Sequence, residues 1–221
     1  QLTLREVKVG FTYAPNVTYV NTKQRRIKLN HDAPIFTISH TAGFKGVLGG
    51  QYNYHVTEVG IWKRLWLGSW GKMDFDLKGG IQWSKVPFPL LIHPATNTSF
   101  IIADHTFFLI GNFEFLNDRY ASLLYEWDLN GKLFNRVPLL KKLQWREVIG
   151  VNVLYGHLTK KNDPAASNYS DSDLFYFPGH FRDDGSYEQN TVIMRPNEPY
   201  IELRAGIHTI FKIIEIAYVN R

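Results

Sequence analysis

The chain has 221 residues, no cysteine, 15% aromatic and 20% charged residues, and a formal net charge of +5. The lack of cysteine excludes disulfide scaffolds, thiolate catalysis and cysteine-ligated zinc. The charge is mild and spread out, densest at Arg25-Arg26 and Lys141-Lys142. Without a basic patch interleaved with stacking aromatics, nucleic acid is not an expected partner.

Strands are predicted in chain order at Thr3–Tyr13, Thr22–Asn30, Ile35–Phe44, Gln51–Lys63, Leu65–Trp83, Arg119–Asn130, Leu143–Leu158, Tyr200–Thr209 and Phe211–Asn220, with His105–Phe115 a candidate tenth. Successive side chains of a strand point to opposite faces. Met73, Phe75, Leu77, Ile81 and Trp83 therefore share one face, while Asp74, Asp76, Lys78 and Gln82 share the other. The same pattern sets Ala121, Leu123, Tyr125, Trp127 and Leu129 against Ser122, Glu126 and Asp128. Ile201, Leu203 and Ile207 likewise oppose Glu202, Arg204 and His208, and in Leu143–Tyr155 only Glu147 interrupts the apolar face.

Half-buried soluble sheets also alternate, so length and aromatics must decide. A tilted strand needs roughly nine to eleven residues to cross a bilayer, and aromatic girdles flank the lipid-facing band of outer-membrane barrels. Trp83, Trp127, Trp145, Tyr125 and Tyr155 fall toward strand ends. The mean hydropathy of −0.23 does not oppose this reading, because a barrel hides only every second residue in lipid. No run reaches the roughly twenty apolar residues of a membrane helix; Val86–Ile92 is short and broken by Pro87 and Pro89.

The expected fold is therefore all-β, an antiparallel outer-membrane β-barrel whose apolar face meets lipid. A charge at Leu123 should be tolerated far less than one at Ser122. The chain begins without a signal segment and ends within the alternating run Ile213–Val219, so it is read as an incomplete piece of a barrel. Two connections are long. Residues 84–118 mix Phe88, Leu90, Leu91 and Phe100 with Asn97, Asp104 and Glu114, which suits a segment folded into the lumen. Residues 159–199 are rich in turn-forming Asn, Asp, Ser, Gly and Pro and suit an extracellular loop. Its stretch Leu174-Phe175-Tyr176-Phe177 should dock on the rim or on a partner.

Several segments carry a family resemblance: Arg5–Pro15, Gly46–His55, Lys85–Leu91, Phe113–Leu123 and Leu133–Val148. In this order they resemble the C-terminal barrel half of an uncharacterised outer-membrane family of Bacteroidota, whose members carry a secretory signal and a carboxypeptidase-regulatory-like domain upstream. More remotely the layout resembles the sixteen-stranded BamA-like superfamily. That resemblance implies nine or ten strands of sixteen here, with residues 84–118 in the place of the inward-folded loop. The superfamily's Arg-Gly-Phe or Arg-Gly-Tyr loop signature is not recognisable in this chain, so only the architecture carries over.

Candidate sites are polar rather than catalytic. The eight histidines show no close ligand spacing, and no Gly-x-Ser-x-Gly elbow is present; neither an enzyme nor a cofactor is expected. Asp171, Asp173, Asp183 and Asp184 could bind a hard cation but match no calcium loop, and read more simply as a solvated acidic loop. Sequons at Asn16, Asn97 and Asn168 are near chance. Asn112–Tyr120 is the better site, with Arg119 expected to pin the first long loop through Asp74, Asp76, Glu126 or Asp128; an ordinary Asn-Asp turn is the competing reading. Glu114, Asp118, Glu202 and Arg204 complete the expected lumen network.

Expected partners are outer-membrane lipids, lipopolysaccharide, and other outer-membrane proteins or lipoproteins. The expected role is a non-enzymatic component of envelope assembly, secretion or transport. A passive or gated pore and a soluble adhesin or lectin are the alternatives.

Overall fold

The computed structural model describes all residues except 1, 98, 100–102, 104, 168, 169, 172 and 196. Phe100, Asp104 and Asn168, named above, lie outside the described residues. The fold is all-β. Eight strands form one antiparallel sheet: β1 (Glu6–Tyr13), β4 (Ile35–Gly43), β5 (Tyr54–Trp66), β6 (Lys72–Gln82), β7 (Arg119–Asp128), β8 (Arg146–His157), β11 (Tyr200–Ile210) and β12 (Ile214–Asn220). Each pairs with the next long strand along the chain, so the sheet is a meander. It is open: among the described residues β1 pairs only with β4 and β12 only with β11.

The strand expectations need four corrections. Thr22–Asn30 is not a strand of the main sheet. It turns at Thr22–Arg25, where Thr22 N–H donates to Arg25 O at 2.9 Å, and contributes to a separate hairpin of β2 (Tyr19–Asn21) and β3 (Arg26–Lys28). The run Lys23-Gln24-Arg25-Arg26 offers no apolar face to hold it in the sheet. His105–Phe115 forms no strand either, because His105 and Phe113 adopt left-handed backbone conformations, with φ of 59° and 57°. The break expected at Arg64 lies instead at Leu67–Gly71, where Gly68 and Gly71 have positive φ. A Cβ on Gly71 would sit 1.9 Å from Asp128 O, so glycine is required there. Finally, Leu143 belongs to a short helix, α1 (Pro138–Leu143), ended by Gln144 at φ 54°, and β8 begins only at Arg146.

The remaining connections lie at two ends of the sheet. Residues 14–34, 67–71, 129–145 and 211–213 turn at one end; residues 44–53, 83–118 and 158–199 turn at the other. The two longest connections therefore share an end. The second carries a small hairpin of β9 (Gly179–Phe181) and β10 (Tyr187–Gln189). Both fold back over the same face of the sheet.

That face, covered from β6 to β11 but exposed over β1 and at Thr37 of β4, is the polar one. It presents Lys8, Ser39, Glu58, Arg64, Asp74, Asp76, Ser122, Glu126, Asn152, Glu202 and Arg204, which share faces by register. The opposite face is open and apolar. Its exposed side chains are Val7, Val9, Phe11 and Tyr13 of β1, Phe36 and Ile38 of β4, Val59, Ile61 and Leu65 of β5, and Leu77 of β6. They continue through Ile149 and Tyr155 of β8 and Ile201 and Leu203 of β11 to Ile214, Ile216 and Tyr218 of β12. Met73, Phe75, Ile81, Ala121, Leu123, Tyr125, Trp127 and Ile207 fall on this face as the alternation requires. Leu129 does not: it lies beyond β7, is buried, and donates its N–H to Glu147 O at 2.9 Å. Glu147, the one polar interruption, is buried too and accepts the Phe134 N–H.

Two apolar clusters sit between the covered face and the long connections. Phe107, Ile110 and Phe115 pack with Leu124, Leu154, Met194 and Tyr200. Val86, Leu91 and Leu116 pack with Tyr54, Leu158 and Phe177.

Candidate functional site: a polar seam between the sheet and its long connections

Charged residues on the covered face meet the 84–118 segment along a paired polar seam. Glu202, fully buried in β11, holds the segment most directly. Its carboxylate accepts the backbone N–H of Phe108 at 2.9 Å and of Leu109 at 2.7 Å, the Tyr200 hydroxyl at 2.8 Å and the Asn152 amide at 3.2 Å. Two backbone donors on one buried carboxylate are charge-assisted bonds, stronger than neutral ones. Phe107, between these partners and the sheet, stacks edge-on to Tyr200 at 6.1 Å.

Arg204, two residues on, faces the same way. It donates to Glu126 at 2.9 Å, pairs with Glu215 of β12, and places its guanidinium 5.0 Å from the Phe108 ring. Toward the other side of the seam, Asp76 is buried and meets Lys78 and His105 at 3.0 Å each. Asp74 takes a two-pronged bond from Arg64 at 2.6 and 2.7 Å. Asp128 lies 3.3 Å from His208 and accepts the Asn130 N–H at 2.8 Å.

A second node joins the two long connections to each other. Asp118 has no exposed surface, and its carboxylate accepts the Thr159 N–H at 3.1 Å, the Thr159 hydroxyl, and the Asn162 amide at 3.0 Å. Asn162 in turn accepts the Val86 N–H at 2.9 Å. Glu114 accepts the Gly111 N–H at 2.7 Å and pairs with Arg221, whose guanidinium lies 4.9 Å from the Tyr200 ring.

Of the residues expected from sequence, Asp74, Asp76, Glu126, Asp128, Glu202 and Arg204 share the covered face, and Glu114 and Asp118 sit in the segment that covers it. Arg119 does not join them. It is exposed on the open face, opposite Ile81 and His157, because it directly follows inward-turned Asp118 and neighbours in a strand point oppositely. The pinning arginines are Arg204 and Arg221. Arg64 shares a face with Asp74 and Asp76 by alternation alone and was legible in principle. Asn152, an amide inside the apolar run of β8, carried a similar signal. Thr159 and Asn162 carried none.

The aromatic stretch divides. Leu174 and Phe177 are buried, with Phe177 edge-on to Phe88 at 6.4 Å, while Phe175 and Tyr176 remain exposed and Tyr176 packs against Tyr187 and Phe181 of the small hairpin. Two acidic residues of the second connection are engaged, one across to the first connection and one within its own turn. Asp171 pairs with Lys85, which holds the carboxyl below its ordinary range and raises the ammonium above its own. Asp184 caps Ser186 at 2.8 Å. Among the described residues no group of three His, Asp or Glu could hold a metal ion, and no helix is long and apolar enough to cross a membrane.

Chemically, this seam neutralises charge and fixes a covering segment on a sheet. Neither a curated protein nor a solved structure matches the chain. Residues 3–162 match the C-terminal domain of a family of unknown function, DUF5686, and to that family the chain belongs.

Proposed function

We propose that this chain is part of the wall of an outer-membrane β-barrel, with residues 84–118 folded into its lumen, serving an envelope assembly, secretion or transport complex without catalysis of its own. The observation that carries the reading is the inverted polarity of the sheet. Its charged face lies beneath the long connections from β6 to β11, while its apolar face lies uncovered across all eight strands. The largest apolar patch on an ordinary soluble monomer is about 300–600 Å², and a soluble sandwich buries its apolar face rather than its charged one. Lipid is the solvent that suits such a face, and a barrel is the sheet form that leaves no unpaired edge in hydrocarbon. The placement in Bacteroidota and the likeness to BamA-like barrels belong to this proposal as architecture alone.

A gated pore is the second reading, favoured by the way the segment is held. Glu202 and Arg204 bond it through side chains rather than through strand pairing, so it could leave without unzipping the wall.

Purification of the native protein in detergent, with identification of co-purifying chains, tests the leading reading. Recovery with stable envelope partners is expected. Recovery alone, with single-channel conductance, favours the pore, and a monodisperse protein without detergent favours the adhesin or lectin. On whole cells, trypsin should cut the 159–199 connection at Lys160 or in the exposed Arg182–Ser186 turn. Cleavage only after the outer membrane is broken would reverse the orientation.

A further inference from the structure

The two ends of the sheet differ sharply in charge. The connections at the end opposite the two longest ones carry nine Lys and Arg residues, four in 14–34, four in 129–145 and one in 211–213, against a single acid, Asp32. The connections at the other end carry ten acids against six Lys and Arg.

The basic end is also shaped. The 129–145 and 211–213 connections form the walls of one groove, lined by Lys141, Lys142, Arg146, Lys212, Trp145 and Phe211, with no carboxylate in its lining. A bond from the Thr209 hydroxyl to Gln144 O, 2.9 Å, ties the two walls together. Beside the cations stand fully solvent-facing apolar side chains: Phe211 is 82% exposed, Ile213 87% and Leu139 72%. Trp70 and Trp127 lie at the same end, and the Trp127 indole N–H donates to Trp70 O at 2.9 Å. The apolar tips run on into the open face of β11, β12 and β8.

We propose that this groove is a docking site for the headgroup of an anionic phospholipid in the inner leaflet of the membrane. Cations without counter-charges among the described residues complement a phosphate, and the adjoining apolar tips complement the acyl chains below it. An acidic protein surface would meet the charges but would leave Phe211, Ile213 and Leu139 without a matching environment. The inner leaflet follows from the two longest connections lying at the opposite end, since outer-membrane barrels let their extracellular loops grow and keep the periplasmic side shorter. The inference rests on the membrane reading above, and it names a lipid, a leaflet and the side chains that hold it.

The test uses the full-length protein, reconstituted in vesicles with equal phosphatidylethanolamine and phosphatidylglycerol, released, and weighed intact with its retained lipids. The unaltered protein is expected to retain phosphatidylglycerol preferentially. The triple variant Lys141→Gln, Lys142→Gln, Lys212→Gln should lose that preference, by up to about fivefold for each cation removed, and salt should weaken it further. These side chains are exposed, so folding is not at stake. Lys45→Gln with Lys160→Gln, at the opposite end, should retain the preference. Equal phosphatidylglycerol retention by all three proteins would overturn the site while leaving the membrane reading intact. Failure of the unaltered protein to enter vesicles would overturn both. In vesicles that also contain lipid A, a groove-dependent preference for lipid A over phosphatidylglycerol would place the basic end in the outer leaflet and overturn the assignment.

Discussion

Replacing Ile38 with arginine is expected to prevent stable assembly, whereas the same replacement at the adjacent Thr37 is expected to be tolerated. Ile38 lies in the middle of β4 on the open apolar face, and Thr37 is exposed on the polar face. A cation at the midplane of the lipid face costs about 2–4 kcal/mol, whereas lumen substitutions mainly change pore properties. The effect is a large fraction of the margin by which a folded domain persists, about 5–15 kcal/mol. Heat-resistant folded protein on gels, recovered from the outer membrane, reports the outcome. Leu123→Arg should behave like Ile38→Arg. Ser122, the control suggested by alternation, is less informative, because it is buried beneath the covering segment and an arginine there would fail by overpacking. Equal tolerance at positions 37 and 38 would contradict the assignment of faces.

Glu202→Leu is expected to release the 84–118 segment while leaving the sheet paired. The substitution strands two backbone N–H groups, a hydroxyl and an amide. Each unsatisfied buried group costs about 1–3 kcal/mol; with partial repair by water, a loss on the order of 3–6 kcal/mol is expected. Glu202→Gln, which keeps a single acceptor oxygen, should show a smaller loss. The readout is proteolytic cutting near His105–Phe113, which should rise sharply in the leucine variant while the folded sheet persists. An unchanged cutting pattern would mean that the apolar cluster around Phe107 and Phe115 alone holds the segment.

The strands that were legible in the sequence are those whose two faces differ most. In β6, β7 and β11 polar and apolar residues alternate with few breaks; β7 and β11 lie within two residues of the expected limits at both ends, and β6 does so at its end but not at its start. Alternation failed where it carried no contrast. Leu65 and Trp66 extend the apolar run of β5 past Arg64, so the true turn at Gly68 and Gly71 was hidden. Arg119 was misplaced for a different reason. Grouping it with Asp118 and Glu114 as a polar cluster ignores that adjacent strand positions diverge, and Ala121, two residues on and on the same face, marks it as outward. The clamp residues were beyond reach in another sense. Glu202 meets Phe108 across 94 positions and Asp118 meets Asn162 across 44, and single-sequence patterning contains nothing at that range.

The central claim, that the uncovered apolar face meets lipid, is open to one direct measurement. The chain has no cysteine, so single cysteines can be introduced along β6 from Lys72 to Gln82 and spin-labelled without removing any native thiol. Collisional access to oxygen, concentrated in lipid, and to a water-soluble nickel chelate is then measured for the protein in vesicles. The account predicts a period of two: oxygen access high at Met73, Phe75, Leu77, Gly79 and Ile81 and low at Asp74, Asp76 and Gly80. Nickel access should remain low throughout the oxygen-rich positions. Uniform nickel access on both faces, or an oxygen maximum on the aspartate face, would contradict it.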